Sequence, residues 1–344
     1  MHHTMFQIFC TLLTPFALLV ALWTTPAYAQ NPVQVMRIGA TQGMDMTYIR
    51  NLRRMAADIE QATAGQVKVE ILHNGQQGNE ISMVKALIEG KLEGGFVSAS
   101  TLSQTLPAYQ LLLIPRLFVT PNQLVQFIGS RYDQKLRLRA MRKRIQVLGY
   151  GGTGFYGVTT FEGRAWPELR GATIRAPGVI AHQKNLELMG LKPSYVPAEA
   201  VPEAIQAGWL QGISSTPELL ARTRVASQGK QFYSTHHLYG WMTFIVSNRW
   251  YANLSKELRQ QLRETVANGL RQGFSESLRL EQKLLGDWSA GHGPQPTPVD
   301  EQALAEQLKP EVGQQLQALE KRLGLHGQLW QMWVQNNGLM VNTP

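Results

Sequence analysis

The chain of 344 residues is 44% hydrophobic and 17% charged, with 33 basic against 24 acidic side chains and a formal net charge of +9. That length supports two domains with cores of their own and excludes a peptide hormone or a disordered tail. A single cysteine excludes a disulfide framework, a cysteine-based zinc site and an iron–sulfur cluster, while the positive charge favours anionic partners without choosing among them.

Residues Phe6–Trp23 form an apolar run, and no Asp, Glu, Lys or Arg precedes Arg37. Ala27-Tyr28-Ala29 has the small-x-small pattern of a signal-peptidase site, so residues 1–29 are expected to be a cleavable secretory signal that removes Cys10. The alternative is an uncleaved anchor, since the run is nearly long enough to span a bilayer, and only His2, His3 and the α-amino group replace the usual basic start. No later apolar run approaches that length.

Beyond the signal, short β-like runs alternate with helical patterns, which predicts α/β layers. Val33–Ala40 reads as a strand and Tyr48–Thr63 as a helix with apolar residues at Ile49, Leu52, Met55, Ala56 and Ile59. Gln66–Leu72 is a strand, Glu80–Ile88 a helix and Gly94–Ser98 a buried strand. Pro107–Phe118 is apolar and broken by Pro115; Gln123–Arg144 is expected as helix and Ile145–Tyr150 as strand. Glycines 149, 151, 152, 154 and 157 follow, suited to a crossing between domains or close approach of the backbone to a ligand. A dinucleotide loop would need a helix next, whereas Val158-Thr159-Thr160 reads as strand, so that reading is rejected. Ala172–Ala176 and Pro193–Val196 read as strands, Val179–Met189 and Pro202–Ala207 as helices, and Phe244–Ser247 as strand. Ser255–Leu284 is a long helix opened by a serine cap. Pro294–Pro298 reads as a linker, followed by helices at Glu301–Leu308 and Glu311–Arg322 and a polar tail.

Six segments, in order, carry a family resemblance: Gly75–Glu80, a glycine-bracketed loop before a helix; Ala86–Glu93, a helix end with an acidic turn; Leu113–Phe118 (LIPRLF); Leu169–Pro177 (LRGATIRAP); Ala204–Gly208 (AIQAG); and Ser247–Ser255. Together they resemble the solute-binding proteins of tripartite ATP-independent periplasmic (TRAP) transporters, the DctP family, whose most diagnostic segment is "L-K-G-L-K-I-R-x-P". The resemblance implies a periplasmic-binding-protein-like α/β fold of two lobes joined by crossing strands and a long helix, with the ligand cleft between them. Lobe I is expected to hold 30–152 plus about 241–280, and lobe II 153–240 plus about 281–344. It further implies a periplasmic protein without cofactor or catalytic activity, which captures an organic anion and delivers it to the small and large membrane subunits of a carrier.

In that family the arginine of "I-R-x-P" meets the ligand carboxylate; here it is Arg175. A planar guanidinium offers two parallel hydrogen bonds and stays charged when partly buried, and Pro177 stiffens the strand's exit. From pattern alone, a surface salt bridge is the better reading of an arginine, and it is the motif that favours the ligand role. The departures are informative. Tyr156 stands where relatives often carry a second arginine. The "D-G-x-E-N-P" loop is Gln211-Gly212-Ile213-Ser214-Ser215-Thr216-Pro217, with Ser215 in the asparagine's place. "F-S-E-V-Y" is Ala198–Pro202, and Glu93 replaces an aspartate. The expected ligand is therefore a monocarboxylate with a less polar body, held by Arg175 with donors from Ser98, Ser100, Tyr156 and Ser215, and walled by Tyr239 and Trp241.

Other groupings are weaker. His236 and His237 alternate faces on an extended segment, and no further ligand spacing accompanies them, so no metal is expected. Lys135–Arg144 has apolar residues at helical spacing, the mark of a solvated helix face rather than a nucleic-acid patch; in a secreted protein such a face suits an anionic membrane or an acidic carrier surface. No GxSxG motif is present. Two competing readings stay open: a hydrolase using the same cleft, and an ABC-type importer receptor of similar shape.

Overall fold

The computed structural model describes residues 33–340, apart from 42, 44, 45, 198, 199 and 224. The expected secretory signal, and Ala198 and Glu199 of the altered loop, lie outside the described residues.

The first half alternates strands and helices: β1 (Gln34–Gly39), α1 (Thr47–Ala62), β2 (Val67–Leu72), α2 (Glu80–Glu89), β3 (Gly94–Ser98) and α3 (Ala99–Thr105). A 3₁₀ segment, Pro107–Leu113, leads to α4 (Pro121–Phe127), α5 (Arg131–Arg142) and β4 (Ile145–Phe155). Then come β5 (Gly157–Thr160), β6 (Thr173–Ala176), α6 (Ile180–Leu188), β7 (Lys192–Tyr195), α7 (Val201–Gln206), β8 (Gly212–Ser215), α8 (Pro217–Ala221) and β9 (Gln231–Tyr233). The chain closes with β10 (Tyr239–Ser247), α9 (Asn248–Asn253), α10 (Lys256–Ser289), β11 (Gln295–Thr297), α11 (Glu301–Leu323) and α12 (Gln328–Asn336).

Two sheets define two lobes. The first has strand order β2-β1-β3-β10-β4 and the second β11-β9-β5-β8-β6-β7. In the first, β1 runs parallel to β2 and β3, while β10 pairs antiparallel with both β3 and β4. In the second, β6 is parallel to β7 and β8, and β5 is antiparallel to β8 and β9. The chain passes from the first sheet to the second between Phe155 and Gly157 and returns between Tyr233 and Tyr239. Helix α10, 34 residues and about 50 Å long, touches α1 and β4 of the first lobe and α8 and β11 of the second. Met36, Ile38, Ile49, Leu52, Ile59, Phe244, Leu262 and Val266 form the core between α1, the first sheet and α10. A second buried cluster runs from α2 through the 3₁₀ segment to β6, α6 and α11, giving the lobes a shared apolar spine.

Five local expectations are corrected. Gln123–Arg144 is two helices: Gly129 takes φ +83 and the Ser130 side chain accepts from the Asp133 amide, so a helix stop and a new cap lie side by side. Glu301–Leu308 and Glu311–Arg322 are one helix running through Pro310, because Leu304, Leu308, Val312, Leu316 and Leu319 bury one continuous face and that burial outweighs a lost backbone bond. The Pro294–Pro298 linker contains β11, paired with β9. The polar tail contains α12, anchored by fully buried Leu329 and Trp333. The strand expected to stop at Tyr150 continues through the glycine cluster to Phe155.

Candidate functional site

That glycine-rich stretch admits side chains from the neighbouring strand. The Tyr239 ring lies where a side chain at residue 152 would be, and the Thr153 hydroxyl fills the corresponding space at residue 240. Only glycine permits either approach. Tyr239 and Trp241, two apart on β10, share one face, with their rings edge to face at 5.0 Å.

They line a cavity of about 220 Å³ between the lobes. The first lobe contributes Tyr48 of α1, Glu80 of α2, Ser98 and Ser100 at the β3–α3 step, and Thr153 of β4. The second contributes Pro177 and Val179, His182 of α6 and Leu219 of α8; Tyr156 lies at the crossing. The Glu80 carboxylate accepts hydrogen bonds from the amide (3.0 Å) and hydroxyl of Ser98, whose oxygen also caps α3 at the Thr101 amide. The two walls meet where Ser100 Oγ lies 3.0 Å from His182 Nε2.

Three buried polar atoms on these walls have no hydrogen-bond partner: His182 Nδ1, Tyr239 Oη and Trp241 Nε1. Leaving such a group unpaired costs about 1–3 kcal/mol, so three around one cavity are unusual. Larger grooves of about 490, 550 and 570 Å³ occur elsewhere, but no described residue lining them carries such an atom.

The cavity is electrostatically polarised. Burial and then the positive Arg175 lower the His182 pKa to about 4, so the imidazole is neutral. Burial raises the Tyr156 phenol to about 12, against a smaller downward pull from Arg175. Burial also lowers the pKa of Arg175, opposed by Tyr156 and Tyr195. Arg175 is half-buried on β6, and its Nε donates to the Val196 carbonyl at 3.1 Å. Among the described residues no carboxylate lies within ion-pair distance of its guanidinium.

Of the seven site residues expected from sequence, Ser98, Ser100, Tyr156, Tyr239 and Trp241 line this cavity. Arg175 acts on two of the cavity's side chains through its charge but does not itself line the wall. Ser215 is buried on β8, away from the lining, and its hydroxyl donates to the Thr216 carbonyl at 3.2 Å. Glu93 is also remote, holding Arg37 through a 2.7 Å ion pair. His237 is fully buried, with Nδ1 at 2.7 Å from Thr235 Oγ1 and Nε2 at 3.1 Å from Ser214 Oγ. His182, Glu80 and Thr153 had not been singled out as site residues. Glu80 and Thr153 fall in segments the sequence had marked, the glycine-bracketed loop and the glycine cluster, but a lone histidine in Ile180–Leu188 gives no local signal.

Residues 38–318 match the family model for bacterial extracellular solute-binding protein family 7, DctP. The sialic acid-binding periplasmic protein SiaP of Vibrio cholerae is 19% identical over 301 residues, 85% of this chain and 91% of the relative. The uncharacterized protein YiiZ of Salmonella typhimurium is 24% identical over 193 residues, and the match spans only 58% of that relative's length and 54% of this chain. The fold superposes on the crystal structure of a TRAP periplasmic solute-binding protein from Ochrobactrum anthropi with a TM-score of 0.82 at 17% identity, over 89% of this chain and 97% of that one. In that crystal structure the C-terminus is bound in the ligand-binding pocket.

Proposed function

The chain belongs to bacterial extracellular solute-binding protein family 7, and we propose that it captures a small, singly charged organic acid between its lobes for delivery to a TRAP membrane carrier. Proteins of this family are receptors and not enzymes. The observation that carries the ligand reading is the convergence of His182 Nδ1, Tyr239 Oη and Trp241 Nε1 on one cavity beside an arginine without an acidic partner among the described residues.

Charge then narrows the ligand. Arg175 is one cation, Tyr156 stands in place of a second, and Glu80 puts a carboxylate on the opposite wall. A second ligand carboxylate would meet like charge there, whereas a hydroxyl or amide donor would find an acceptor. Val179, Leu219 and Met242 add apolar surface for the body of the molecule. SiaP is named for sialic acid, which carries a single carboxylate, whereas a relative 20% identical over 229 residues is named for C4-dicarboxylates, so the choice rests on the charges of this site. In this reading the acid stabilises a closed state, Arg175 swings onto its carboxylate, and the Ser100–His182 contact draws the lobes together. Ser215, whose hydroxyl is spent on the Thr216 carbonyl, takes no part in this contact. Residues 1–29 serve as the secretory signal, so the exported protein should begin at Gln30 by intact mass.

Titration calorimetry with matched mono- and dicarboxylic acids, alongside native mass spectrometry for a co-purified acid, tests the assignment. A monocarboxylate should bind best. A four-carbon dicarboxylate bound more tightly than every monocarboxylate overturns it.

A further inference from the structure

We infer that the outer face of α5, joined to the last turn of α11, is a docking surface for an anionic lipid bilayer. Helix α5 buries Asp133, Leu136 and Ala140 on one side. The opposite side carries Lys135, Leu138 and Arg142 at helical spacing, with Arg139 and Met141 beside them. Leu138 is 53% and Met141 43% exposed. Lys321 and Arg322 lie in the last turn of α11, and Arg139 donates to the Arg322 carbonyl. A methyl group at Gly324 would lie 4 Å or less from Lys135 Nζ, so the cations of both helices form one patch.

Among the described residues no acid neutralises that patch. Lys135, Arg139, Arg142, Lys143, Lys321 and Arg322 have no carboxylate partner among the described residues. The two acids closest in sequence are buried and committed elsewhere. Asp133 accepts from the Gly129 amide, Arg137 and the Tyr150 hydroxyl, and Glu320 accepts from the amides of Gly327, Leu329 and Trp330. Cations surrounding exposed aliphatic side chains on a helix suit the headgroup region of an anionic membrane, where the charges meet phosphates and the aliphatic groups enter the acyl boundary. A strand of nucleic acid would call for aromatic stacking surfaces instead, and this face has no Phe or Trp. Docking would hold the receptor on the membrane that houses its carrier, and it stands whether or not the cleft takes an acid.

The test is co-sedimentation of the purified exported protein, its N-terminus identified by mass spectrometry, with phosphatidylcholine vesicles with and without 30% phosphatidylglycerol (on the order of a natural anionic surface). Binding should require the anionic lipid and vanish near 0.5 M salt (about the point where the screening length drops to a few ångströms). The variant R142Q/K143Q/K321Q should lose about fivefold in partitioning for each cation, or about a hundredfold in all. Its melting temperature should not change. L138Q/M141Q should weaken binding while leaving its salt dependence intact. Sedimentation equal with neutral vesicles, none with either vesicle (as when the true partner is an acidic protein), or a triple variant that binds like the parent overturns the proposal.

Discussion

Arg116, packed against the returning crossover at Thr235, and Arg175, at the edge of the cleft, carry the same guanidinium into different company. Arg116 is 1% exposed, and each of its nitrogens donates: Nε to Asn337 Oδ1 at 2.8 Å, Nη1 to the Thr235 carbonyl at 2.6 Å and Nη2 to Glu301 Oε2 at 2.8 Å. Around it, His237 has both ring nitrogens engaged. At the cleft, among the described residues, Arg175 donates only through Nε, His182 uses one ring nitrogen, and Tyr239 and Trp241 use neither hydroxyl nor indole N–H. Residue type does not separate these regions; the state of their hydrogen bonds does. Where every donor is satisfied inside the fold, the group stabilises structure. Where several are left over around one space, the fold has given up stability that a bound anion can restore.

Substitutions can break that contrast. The largest effect is expected from Arg116→Ala, which strands the Thr235 carbonyl and the Asn337 side chain. It should cost about 3 kcal/mol in denaturant unfolding, with ligand affinity of the folded fraction unchanged. Arg175→Ala should do the reverse, lowering affinity about a hundredfold by calorimetry while shifting stability by less than about 1 kcal/mol. Should both variants lose stability alike, the division between the regions fails.

A pH series sharpens it further. His182 titrates near 4 in the folded protein against 6.5 for a free histidine. Its contribution is level above 6.5, and the fold loses stability as pH falls from there towards 4, because the unfolded chain takes up the proton first. His237, lowered to about 3 by burial, adds to the same trend. Thermal melts of His182→Gln at pH 7 and pH 4.5 should therefore show a smaller difference than the parent. The smallest effect is reserved for Tyr239→Phe. Its hydroxyl has no partner to lose, so stability should hold or rise slightly, while affinity falls about fivefold if that hydroxyl donates to the acid.

Much of the scaffold was readable before folding. The period of α1, the alternation in β2 and the serine cap of α10 are each set by residues only a few positions apart, and the structure contains each of these elements. At Gly129 a local helix stop and a new cap lay unread; the misreadings at Pro310 and Trp333 share another cause. In each, contacts from distant residues overrode a local breaker or a polar composition, as when the Trp333 indole donates to the Pro115 carbonyl, 218 residues away. Tyr239 and Trp241 were suspected as pocket walls, and Ser98 and Ser100 as donors, on the order of segments alone. Nothing local told that Ser215 would spend its hydroxyl on its neighbour.

Taken by itself, the amino-acid order determined an α/β chain with a family pattern that includes one arginine-bearing strand. Those properties depend on neighbours along the backbone, whose spacing sets helix, strand and turn. The tertiary structure alone decided which polar groups were left without partners. Ser100 and His182 meet across 82 residues, and hydrogen-bond satisfaction is a property of three-dimensional proximity that no short stretch of sequence encodes.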